Sequence, residues 1–273
     1  MTTAIPMLER AREMQDTLIA WRRDIHMHPE LSFQELRTAR LVADTLREMG
    51  IELETGVGKT GVVARIGEGR PAIGIRADMD ALPLQEMNDV TYKSLTPGVM
   101  HACGHDIHMS SWLGTATLLS RIRKQWSGTL IFLAQSAEET GQGARKMIAS
   151  PAFGRLPKPD FQLAFHDNAD LPAGQIGFCD GYSMAAVDMM NITIYGKGGH
   201  GAAPQQAIDP VLLSAQYITA IQSIVSRNLS SNDPAVITVG AIHGGTVGNI
   251  IPDQVQLKLT IRSFSASARQ TIL

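Results

Sequence analysis

The sequence predicts an α/β protein that carries a second, smaller α+β region, and two observations lead to this fold class. Through the first two thirds of the chain, short apolar runs alternate with segments whose apolar residues recur at helical spacing. After about residue 183 the order changes to strand, helix, strand, strand, which is most of a ferredoxin-like unit. We therefore expect one domain over residues 1–183, with a central mixed sheet and helices on both of its faces, and an α+β domain over residues 184–273.

The elements of the first domain follow from apolar periodicity and from the placement of Gly and Pro. Gly50, for example, comes directly after a run of apolar residues at helical spacing and provides a natural helix end. Short apolar runs bounded by Gly and Pro are typical of strands. The predicted strands are 61–66, 71–77, 129–135 and 161–166, and the predicted helices are 7–24, 34–49, 106–123 and 141–149.

The second domain is predicted from a different order of elements. Strands are expected at 188–197, 235–245 and 254–264, and a long helix at 207–227. The last of these strands shows clean alternation of apolar and polar residues. A ferredoxin-like unit should continue with a helix and a fourth strand, and the sequence ends a few residues into that expected helix. The second domain is therefore expected to be incomplete.

Composition excludes several functional classes. The 273 residues carry a formal net charge of −2, which is unlike the basic surface of a nucleic-acid-binding protein. The N-terminal segment becomes charged within ten residues, and no apolar run approaches the ~20 residues of a membrane helix. Two cysteines, Cys103 and Cys179, are too few for a disulfide framework in a chain of this size. We expect a cytoplasmic protein that binds neither nucleic acid nor membrane.

The densest chemical signal is the run MHACGHDIHM at residues 100–109, which holds three histidines, a cysteine and an aspartate. A thiolate and imidazoles are good ligands for Zn and similar metals. Cys103 and His105 are two residues apart, so both side chains can face one cavity if the segment is extended or a turn. The alternative is a helix cap beside a buried cysteine.

Further acids and a histidine follow other predicted strands. Asp78 and Asp80 come directly after the strand at 71–77, where they form either part of a site at the sheet edge or a solvated turn. Glu138 and Glu139 follow the strand at 129–135 and open a predicted helix. One could bind metal while the other acts as a general base, or both could simply complement the helix dipole. His166 ends the last strand, as a ligand or as a structural hydrogen-bonding group. Together they indicate a metal centre.

Six motifs carry a resemblance to a known family. They are RRDIHMHPELSFQE (22–35), GIRADMDALPLQE (74–86), MHACGHDIHM (100–109), AQSAEETGQGARKMI (134–148), GKGGHGAAP (196–204) and GGTVGNIIPD (244–253). In this order they resemble the aminoacylase/carboxypeptidase metallopeptidases, most of all the hippurate hydrolases, N-acyl-amino-acid amidohydrolases and plant auxin-conjugate hydrolases. The resemblance implies a zinc-exopeptidase-like catalytic domain and a ferredoxin-like lid, through which the protein forms a homodimer.

The resemblance also implies a set of metal ligands for two divalent ions, which are Zn, or Mn, Co or Ni. The implied ligands are Cys103, which would bridge the ions, with His105, Glu139 and His166. Many relatives have a ligand histidine where this chain has Arg76, so His105 is expected to take over that task and Asp78 to orient a ligand. The histidines expected to be structural are His26, His28, His101 and His108.

The implied reaction is hydrolysis of the amide bond of N-acyl or N-aroyl amino acids. Glu138 is expected to be the general base, and His200 of the lid to stabilise the oxyanion in the partner subunit's site. Asn249 and Arg262 match residues that contact the substrate, and a guanidinium suits its carboxylate. The alternatives are a dipeptidase or carboxypeptidase that uses the same site, and a catalytically incomplete chain that only binds metal and dimerises.

Two departures from the family pattern bear on that last alternative. The pattern continues well beyond Leu273 and includes a final histidine ligand, to which no residue of this sequence corresponds. A truncated chain is therefore expected. In addition, Asp167 stands where relatives carry a hydrophobic residue after the ligand histidine, and it is expected to tune or disturb the second metal position.

Overall fold

A computed structural model of the chain describes residues 6–273. Residues 1–5, which begin the N-terminal segment that becomes charged within ten residues, lie outside the described residues. Contacts divide the chain into two compact units, one ending at Asp170 and the other running over Leu171–Leu273. The assignment of a catalytic domain to 1–183 and a lid to 184–273 stays a prediction.

The first unit consists, in its described part, of six α-helices and five strands. The helices are α1 Met7–Glu13, α2 Gln15–Met27, α3 Leu36–Glu48, α4 His105–Arg121, α5 Gly143–Ile148 and α6 Pro151–Gly154. The strands are β1 Glu52–Val57, β2 Gly61–Glu68, β3 Ala72–Asp78, β4 Gly128–Gln135 and β5 Phe161–Ala164. All four predicted strands are present, and β1 is a strand that the sequence analysis did not predict.

These strands form one mixed sheet in the order β1-β2-β4-β3-β5, which confirms the predicted fold class. β1, β2 and β4 pair antiparallel, whereas β3 runs parallel to both β4 and β5. The carboxyl ends of parallel strands meet at one edge of a sheet. The segments that follow β3, β4 and β5 therefore leave the sheet at the same edge.

Helices cover both faces of this sheet because neighbouring strand residues point to opposite sides. On one face α3 and α4 pack against the sheet and α2 packs against α4, in a core that includes Ile25, Leu46 and Trp112. The Trp112 ring meets Phe132 edge to face at a centroid distance of 5.2 Å. On the other face α5 and α6 contribute Met147 and Ala152, which pack against strand residues such as Val63. Full burial of each large apolar side chain contributes about 1.5–3 kcal/mol.

The second unit has the predicted strand, helix, strand, strand order. Its strands are β6 Ala186–Tyr195, β7 Gly199–His200, β8 Ala235–His243, β9 Ile250–Ile251 and β10 Gln254–Ser263, and its α-helices are α7 Pro210–Ser223 and α8 Ala266–Ile272. β6, β10 and β8 form an antiparallel sheet with β10 in the centre, and β7 pairs with β9. Val255, Leu257, Leu259 and Ile261 of β10 are buried at alternate positions, as the sequence pattern predicted.

Three predicted helices differ from those observed. The segment 7–24, predicted as one helix, forms α1 and α2, which are separated at Met14. Asp209 caps α7 by accepting hydrogen bonds from the backbone N–H groups of Val211 and Leu212, so the helix begins at Pro210 rather than at residue 207. The prediction that Glu138 and Glu139 open a helix is wrong: both lie in a turn, and α5 begins only at Gly143. Across residues 6–273, the structure contains no helix with the length and apolar character needed to cross a membrane.

Candidate metal centre

Polar side chains gather where three strands of the first unit end. Asp78 is the last residue of β3, Glu138 and Glu139 follow β4, and His166 follows β5. His105 is the first residue of α4. The sheet topology therefore brings together residues that are up to 88 positions apart in sequence, which is the arrangement that the strand-end pattern predicted.

Cys103 and His105 are held by a turn that requires glycine between them. Gly104 has φ +77° and serves as the N-cap of α4. A Cβ atom at this position would lie 2.2 Å from Oδ1 of Asp167. The left-handed backbone conformation strongly favours glycine here, and a Cβ atom would also require the Asp167 side chain to move. Cys103 is thereby placed with its Sγ 3.4 Å from Nε2 of His166.

Three groups of potential metal ligands share His105, and two of them contain the predicted ligands. Ligand atoms of Cys103, His105 and His166 all lie within 4.8 Å of one another, and so do those of His105, Glu138 and Glu139. Nε2 of His105 is 3.8 Å from Oε1 of Glu139 and 3.9 Å from Oε2 of Glu138. The four predicted ligands and the predicted general base are therefore neighbours in the first unit.

The donor atoms are arranged as a cation site requires. Nδ1 of His105 donates a hydrogen bond to the carbonyl oxygen of Asp80 at 2.7 Å, which leaves the lone pair of Nε2 directed into the cluster. Within residues 6–273, this Nε2 and Oε1 of Glu139 are buried without a hydrogen-bond partner. Two such atoms that face each other at 3.8 Å are unusual, because buried polar groups are normally paired. The residues present therefore fit a divalent metal.

The pKa shifts in the cluster also favour a bound cation. Burial, and next the charge of Glu139, raise the pKa of the Cys103 thiol to about 12. Burial alone would lower the pKa of His105, but the carboxylates of Asp80 and Asp78 outweigh it and raise the value to about 9. An excess of negative charge thus surrounds both groups. A bound cation would reverse both shifts and favour the thiolate and the neutral imidazole, which are the forms that bind metal.

His108 lies beside the cluster but has both ring nitrogens engaged. Its Nδ1 is 2.7 Å from Oδ1 of Asp78, and its Nε2 is 2.9 Å from Oδ1 of Asp167. Although its atoms are close enough to those of Asp78 and His105 to form a ligand group, these bonds occupy it. Asp167 therefore replaces the expected hydrophobic residue with a hydrogen-bonding partner for a buried histidine.

Asp78 is held as a carboxylate. Burial alone would raise its pKa, but the hydrogen bond with His108 and the charge of Arg76 lower it to about 2. Arg76 forms an ion pair with Oδ2 of Asp78 at 2.7 Å, and the same oxygen lies 3.6 Å from Nε2 of His105. The hydrogen bond that orients the His105 ring comes from Asp80, a residue that the sequence analysis noted only as a strand-end acid.

A second buried network lies behind α4. Asp106, the neighbour of His105 in sequence, is 2.7 Å from Nδ1 of His26 and forms an ion pair with Arg22 at 2.8 Å. Nε2 of His26 is in turn 3.1 Å from Oε1 of Glu86. These contacts anchor the first turn of α4. They show that the HMHPE motif contacts the MHACGHDIHM motif, which the separation of 80 residues concealed.

The second unit places His200 and Asn249 side by side. His200 pairs with Ile250 across β7 and β9, and the backbone N–H of Gly201 donates to the carbonyl oxygen of Asn249 at 2.8 Å. The backbone N–H of Ala202 donates to Nδ1 of His200 at 3.0 Å. This bond favours the tautomer that carries its proton on Nε2, which makes that atom a hydrogen-bond donor.

Arg262 lies near the end of β10 in the three-stranded sheet, whereas His200 lies in the two-stranded sheet of β7 and β9. In β10 it is eight residues beyond Gln254, whose partner Tyr195 leads towards β7. At about 3.4 Å per residue, eight residues of antiparallel strand span roughly 27 Å. The structure therefore separates Arg262 from His200 and Asn249 within the second unit.

The comparisons with known proteins agree on one family. The sequence profile described as peptidase family M20/M25/M40 matches residues 74–267. The chain is 45% identical over 258 residues to an N-acetylcysteine deacetylase of Bacillus subtilis (strain 168), covering 93% of this chain and 67% of that protein. It is 43% identical over 263 residues to thermostable carboxypeptidase 2 of Saccharolobus solfataricus, covering 94% of this chain and 66% of that protein.

A solved structure extends the similarity to the fold. A Bacillus subtilis protein described as a dinuclear metal binding peptidase from the M20 family is 40% identical, with a TM-score of 0.77. The match covers 96% of this chain and 67% of that chain. The chain thus spans about two thirds of the length of the relatives it matches.

Proposed function

Because the chain belongs to peptidase family M20/M25/M40, we propose that it hydrolyses the amide bond of N-acyl and N-aroyl amino acids with two divalent metal ions. One observation carries the proposal: His105 belongs both to a group with Cys103 and His166 and to a group with Glu138 and Glu139. Within each group the potential ligand atoms lie within 4.8 Å of one another. This is a ligand set that can hold two ions next to a free carboxylate. The resemblance of the chain to an N-acetylcysteine deacetylase supports the same type of substrate.

Cys103, His105, Glu139 and His166 are the proposed ligands. Thiolate and imidazole favour Zn, and Mn, Co or Ni suit the same donors. When bound, such ions lower the pKa of water and polarise a carbonyl group. Asp78, fixed as a carboxylate by Arg76 and His108, keeps negative charge beside His105 and supports the cation site.

Glu138 is the proposed general base. Its Oε2 lies 3.9 Å from Nε2 of His105, close to the ligands without being buried as deeply as Glu139. It takes a proton from the attacking water as the bond from oxygen to the amide carbon forms. The same proton then passes to the nitrogen of the leaving amino acid as the carbon–nitrogen bond breaks. Glu138 is thereby restored for the next turnover.

The lid residues support a dimer. His200 with a proton on Nε2 suits an oxyanion, Asn249 lies beside it, and Arg262 suits the carboxylate of the substrate. Since Arg262 is separated from the other two by most of the length of β10, one lid cannot easily place all three around one small substrate. We therefore propose a homodimer in which the two lids contribute different residues to each site.

A reducing compartment, and hence the cytoplasm, is the proposed location. Cys103 and Cys179 are both free cysteines. Cys103 must be a reduced thiol to bind metal, and thiols persist in compartments that glutathione and thioredoxin keep reduced.

A carboxypeptidase or dipeptidase activity is the second candidate. The similarity to a thermostable carboxypeptidase favours it, and the same base and ligands would serve a peptide bond. The two candidates differ in the acyl group: a simple acyl or aroyl group in the first, an amino acid or peptide in the second.

Amine release from three substrate sets distinguishes them. The chain is reconstituted with Zn, Mn or Co, and then assayed with hippurate, N-acetyl amino acids and dipeptides. Hydrolysis of the first two sets that a chelator removes and metal restores would support the amidohydrolase. Faster hydrolysis of dipeptides would support the peptidase. A folded, metal-loaded chain that hydrolyses neither would contradict the proposal for this chain and leave a metal-binding, dimerising one.

A further inference from the structure

Three consecutive backbone N–H groups beside the metal centre point at two buried carboxylates. The N–H of Ala137 donates to Oε1 of Glu35 at 2.8 Å. The N–H of Glu138 donates to Oδ1 of Asp80 at 3.0 Å, and that of Glu139 donates to Oδ2 of the same residue at 3.0 Å. Glu35 and Asp80 are 0% and 1% exposed. Each of the two functional glutamates is therefore attached to a different oxygen of one carboxylate.

The backbone conformation at Ala137 explains why these N–H groups point the same way. Ala137 has φ +49°, in the left-handed region that residues other than Gly rarely occupy. A left-handed residue in a turn directs successive N–H groups into one concavity that binds anions. Here the anions are side chains of the same protein. Their hydrogen bonds hold the segment in a conformation that it would otherwise avoid.

Hydroxyl groups of two further residues hold these two carboxylates in place. The hydroxyl of Thr60 donates to Oε2 of Glu35, and that of Ser32 donates to Oδ2 of Asp80 at 2.6 Å. Asp80 also accepts the Nδ1–H bond of His105 at its own carbonyl oxygen. Asp80 thus contacts both glutamates and a proposed metal ligand. A buried carboxylate is unfavourable unless it is fully paired, and both of these are paired with donors that lead to the site.

We propose that Asp80 and Glu35 are positioning residues, which hold Ala137–Glu139 so that Glu139 faces the metal while Glu138 remains free to move a proton. The proposal rests on the proposed function in assigning those tasks to Glu138 and Glu139. Its physical basis is that adjacent side chains diverge by a fixed angle once both N–H groups are attached to one rigid carboxylate. A misplacement of about 1 Å at reacting groups can lower a rate by about 100-fold.

Asp80→Asn is the direct test, because asparagine has one acceptor oxygen and its NH2 group would face one of the two N–H donors. A titration of the metal-free chain with Co²⁺ alone is expected to give an affinity at least about 10-fold lower than that of the unmodified chain. Turnover is expected to show kcat about 100-fold lower with KM changed by less than about threefold.

Glu30→Gln is the matched control. Glu30 also holds two backbone N–H groups, those of Arg37 and Thr38, each at 2.8 Å, and its carboxylate makes no hydrogen bond to residues 137–139. Glu30→Gln therefore removes a carboxylate that, like that of Asp80, holds two backbone N–H groups in the first unit. Co²⁺ affinity and kcat are expected to stay within about threefold of the unmodified chain. An equal loss in both variants would mean a general effect on folding and would overturn the positioning role of Asp80.

The Glu35 pair gives a second test if Asp80→Asn does not fold. Glu35→Gln keeps an acceptor oxygen for the N–H of Ala137 and offers its NH2 group to the hydroxyl of Thr60, so it is expected to retain Co²⁺ affinity within about threefold. Glu35→Met keeps the volume but neither bond, and it is expected to lose affinity. Equal affinities in the two variants would contradict the positioning role of Glu35.

The readouts separate the two proposals. If the unmodified chain hydrolyses no substrate, the proposed function fails, while the Co²⁺ titrations still decide the positioning role. If it hydrolyses N-acyl amino acids but Asp80→Asn matches Glu30→Gln in both Co²⁺ affinity and kcat, the positioning role fails and the function stands.

Discussion

The two units differ most in what they bury. In the described part of the first unit the buried side chains include nine ionisable ones, among them Glu35, Asp78, Asp80, His105 and His108. In Leu171–Leu273, all of which the structure describes, the buried polar side chains are Ser214 and Ser263 alone. The second unit is held together by an apolar core on one face of its sheet, centred on β10. The first combines such a core with a concentration of buried charge.

That difference indicates a division of labour. Burying a charge is unfavourable unless it is paired, so a cluster of acids and imidazoles at one sheet edge lowers stability unless something else compensates. The core of α2, α3 and α4 on the sheet provides the rigid support that such a cluster needs. The second unit carries its functional candidates, His200, Asn249 and Arg262, in exposed positions instead. Changes in the two units should therefore have separable effects on chemistry and on folding.

The largest separation is expected from Glu138→Gln. Removing the proposed general base should lower kcat by about 10² to 10⁴-fold, while the bound metal measured by elemental analysis stays the same, because the proposed ligands remain. Glu68→Gln, which changes an exposed glutamate at the end of β2, serves as the control. Loss of metal from Glu138→Gln would mean that the roles of Glu138 and Glu139 are exchanged.

The complementary change is Leu257→Ala in the second unit. Leu257 is fully buried in the middle of β10, so truncation should lower the free energy of unfolding by about 2–5 kcal/mol. Co²⁺ affinity should not change if the metal centre belongs to the first unit alone. Urea denaturation and a Co²⁺ titration of the same preparation measure both quantities. A parallel loss of Co²⁺ affinity would contradict the separation.

The pH dependence of metal affinity should distinguish a site built on Cys103 and His105 from any exposed site. The folded pKa of His105 is raised to about 9, so its protonated form stabilises the metal-free chain fully below pH 6.5, and this contribution is lost as pH rises through 9. Metal binding needs the neutral ring and the thiolate of Cys103, whose pKa is raised to about 12. Between pH 6.5 and 9, each bound ion contacting both should release about two protons.

Calorimetry in buffers of different ionisation enthalpy measures that release. Zn²⁺ affinity should rise with pH, by up to about 100-fold per pH unit where two protons are lost. An affinity independent of pH across this window would mean that neither Cys103 nor His105 binds the ion.

The smallest effect is expected at the start of α7. Asp209→Ala removes the side chain that accepts hydrogen bonds from Val211 and Leu212, which should lower the free energy of unfolding by about 0.5–2 kcal/mol. Activity and metal content should be unchanged, apart from the effect of any unfolded fraction. Thermal denaturation followed by circular dichroism checks the first, and elemental analysis the second. Loss of metal would show that α7 supports the centre.

Much of the fold could be predicted because its local signals agree with its tertiary structure. β10 alternates apolar and polar residues and is covered on one face, while β4 is a continuous apolar run covered on both. β1 was missed because its sequence ELETGV is polar and largely exposed, so it carries no hydrophobic pattern. The turn at 136–142 was read as a helix start because acidic residues favour helix N-termini.

The proximity of the potential ligands could be predicted in outline, but not the residues that hold them. Cys103, His105, Glu139 and His166 were predicted as ligands from strand ends and from the family resemblance, and the structure places them close together. The tasks of Glu35 and Asp80 depend on hydrogen bonds to backbone N–H groups at sequence separations of 102 and 58–59. Every residue except Pro has a backbone N–H group, so the identity of the donor residue does not reveal such a bond and sequence pattern alone cannot predict it.

X-ray absorption at the Zn edge tests most directly the central claim that Cys103 binds the metal. Because the chain has two cysteines, two variants are enough to assign a zinc–sulfur signal to one of them. The Zn-loaded chain should show zinc–sulfur scattering at about 2.3 Å together with nitrogen or oxygen ligands at about 2.0–2.2 Å. Cys103→Ser should lose the sulfur contribution, and Cys179→Ser, the matched control, should retain it. A spectrum without sulfur, or one that loses sulfur only in Cys179→Ser, would contradict a metal centre built on Cys103.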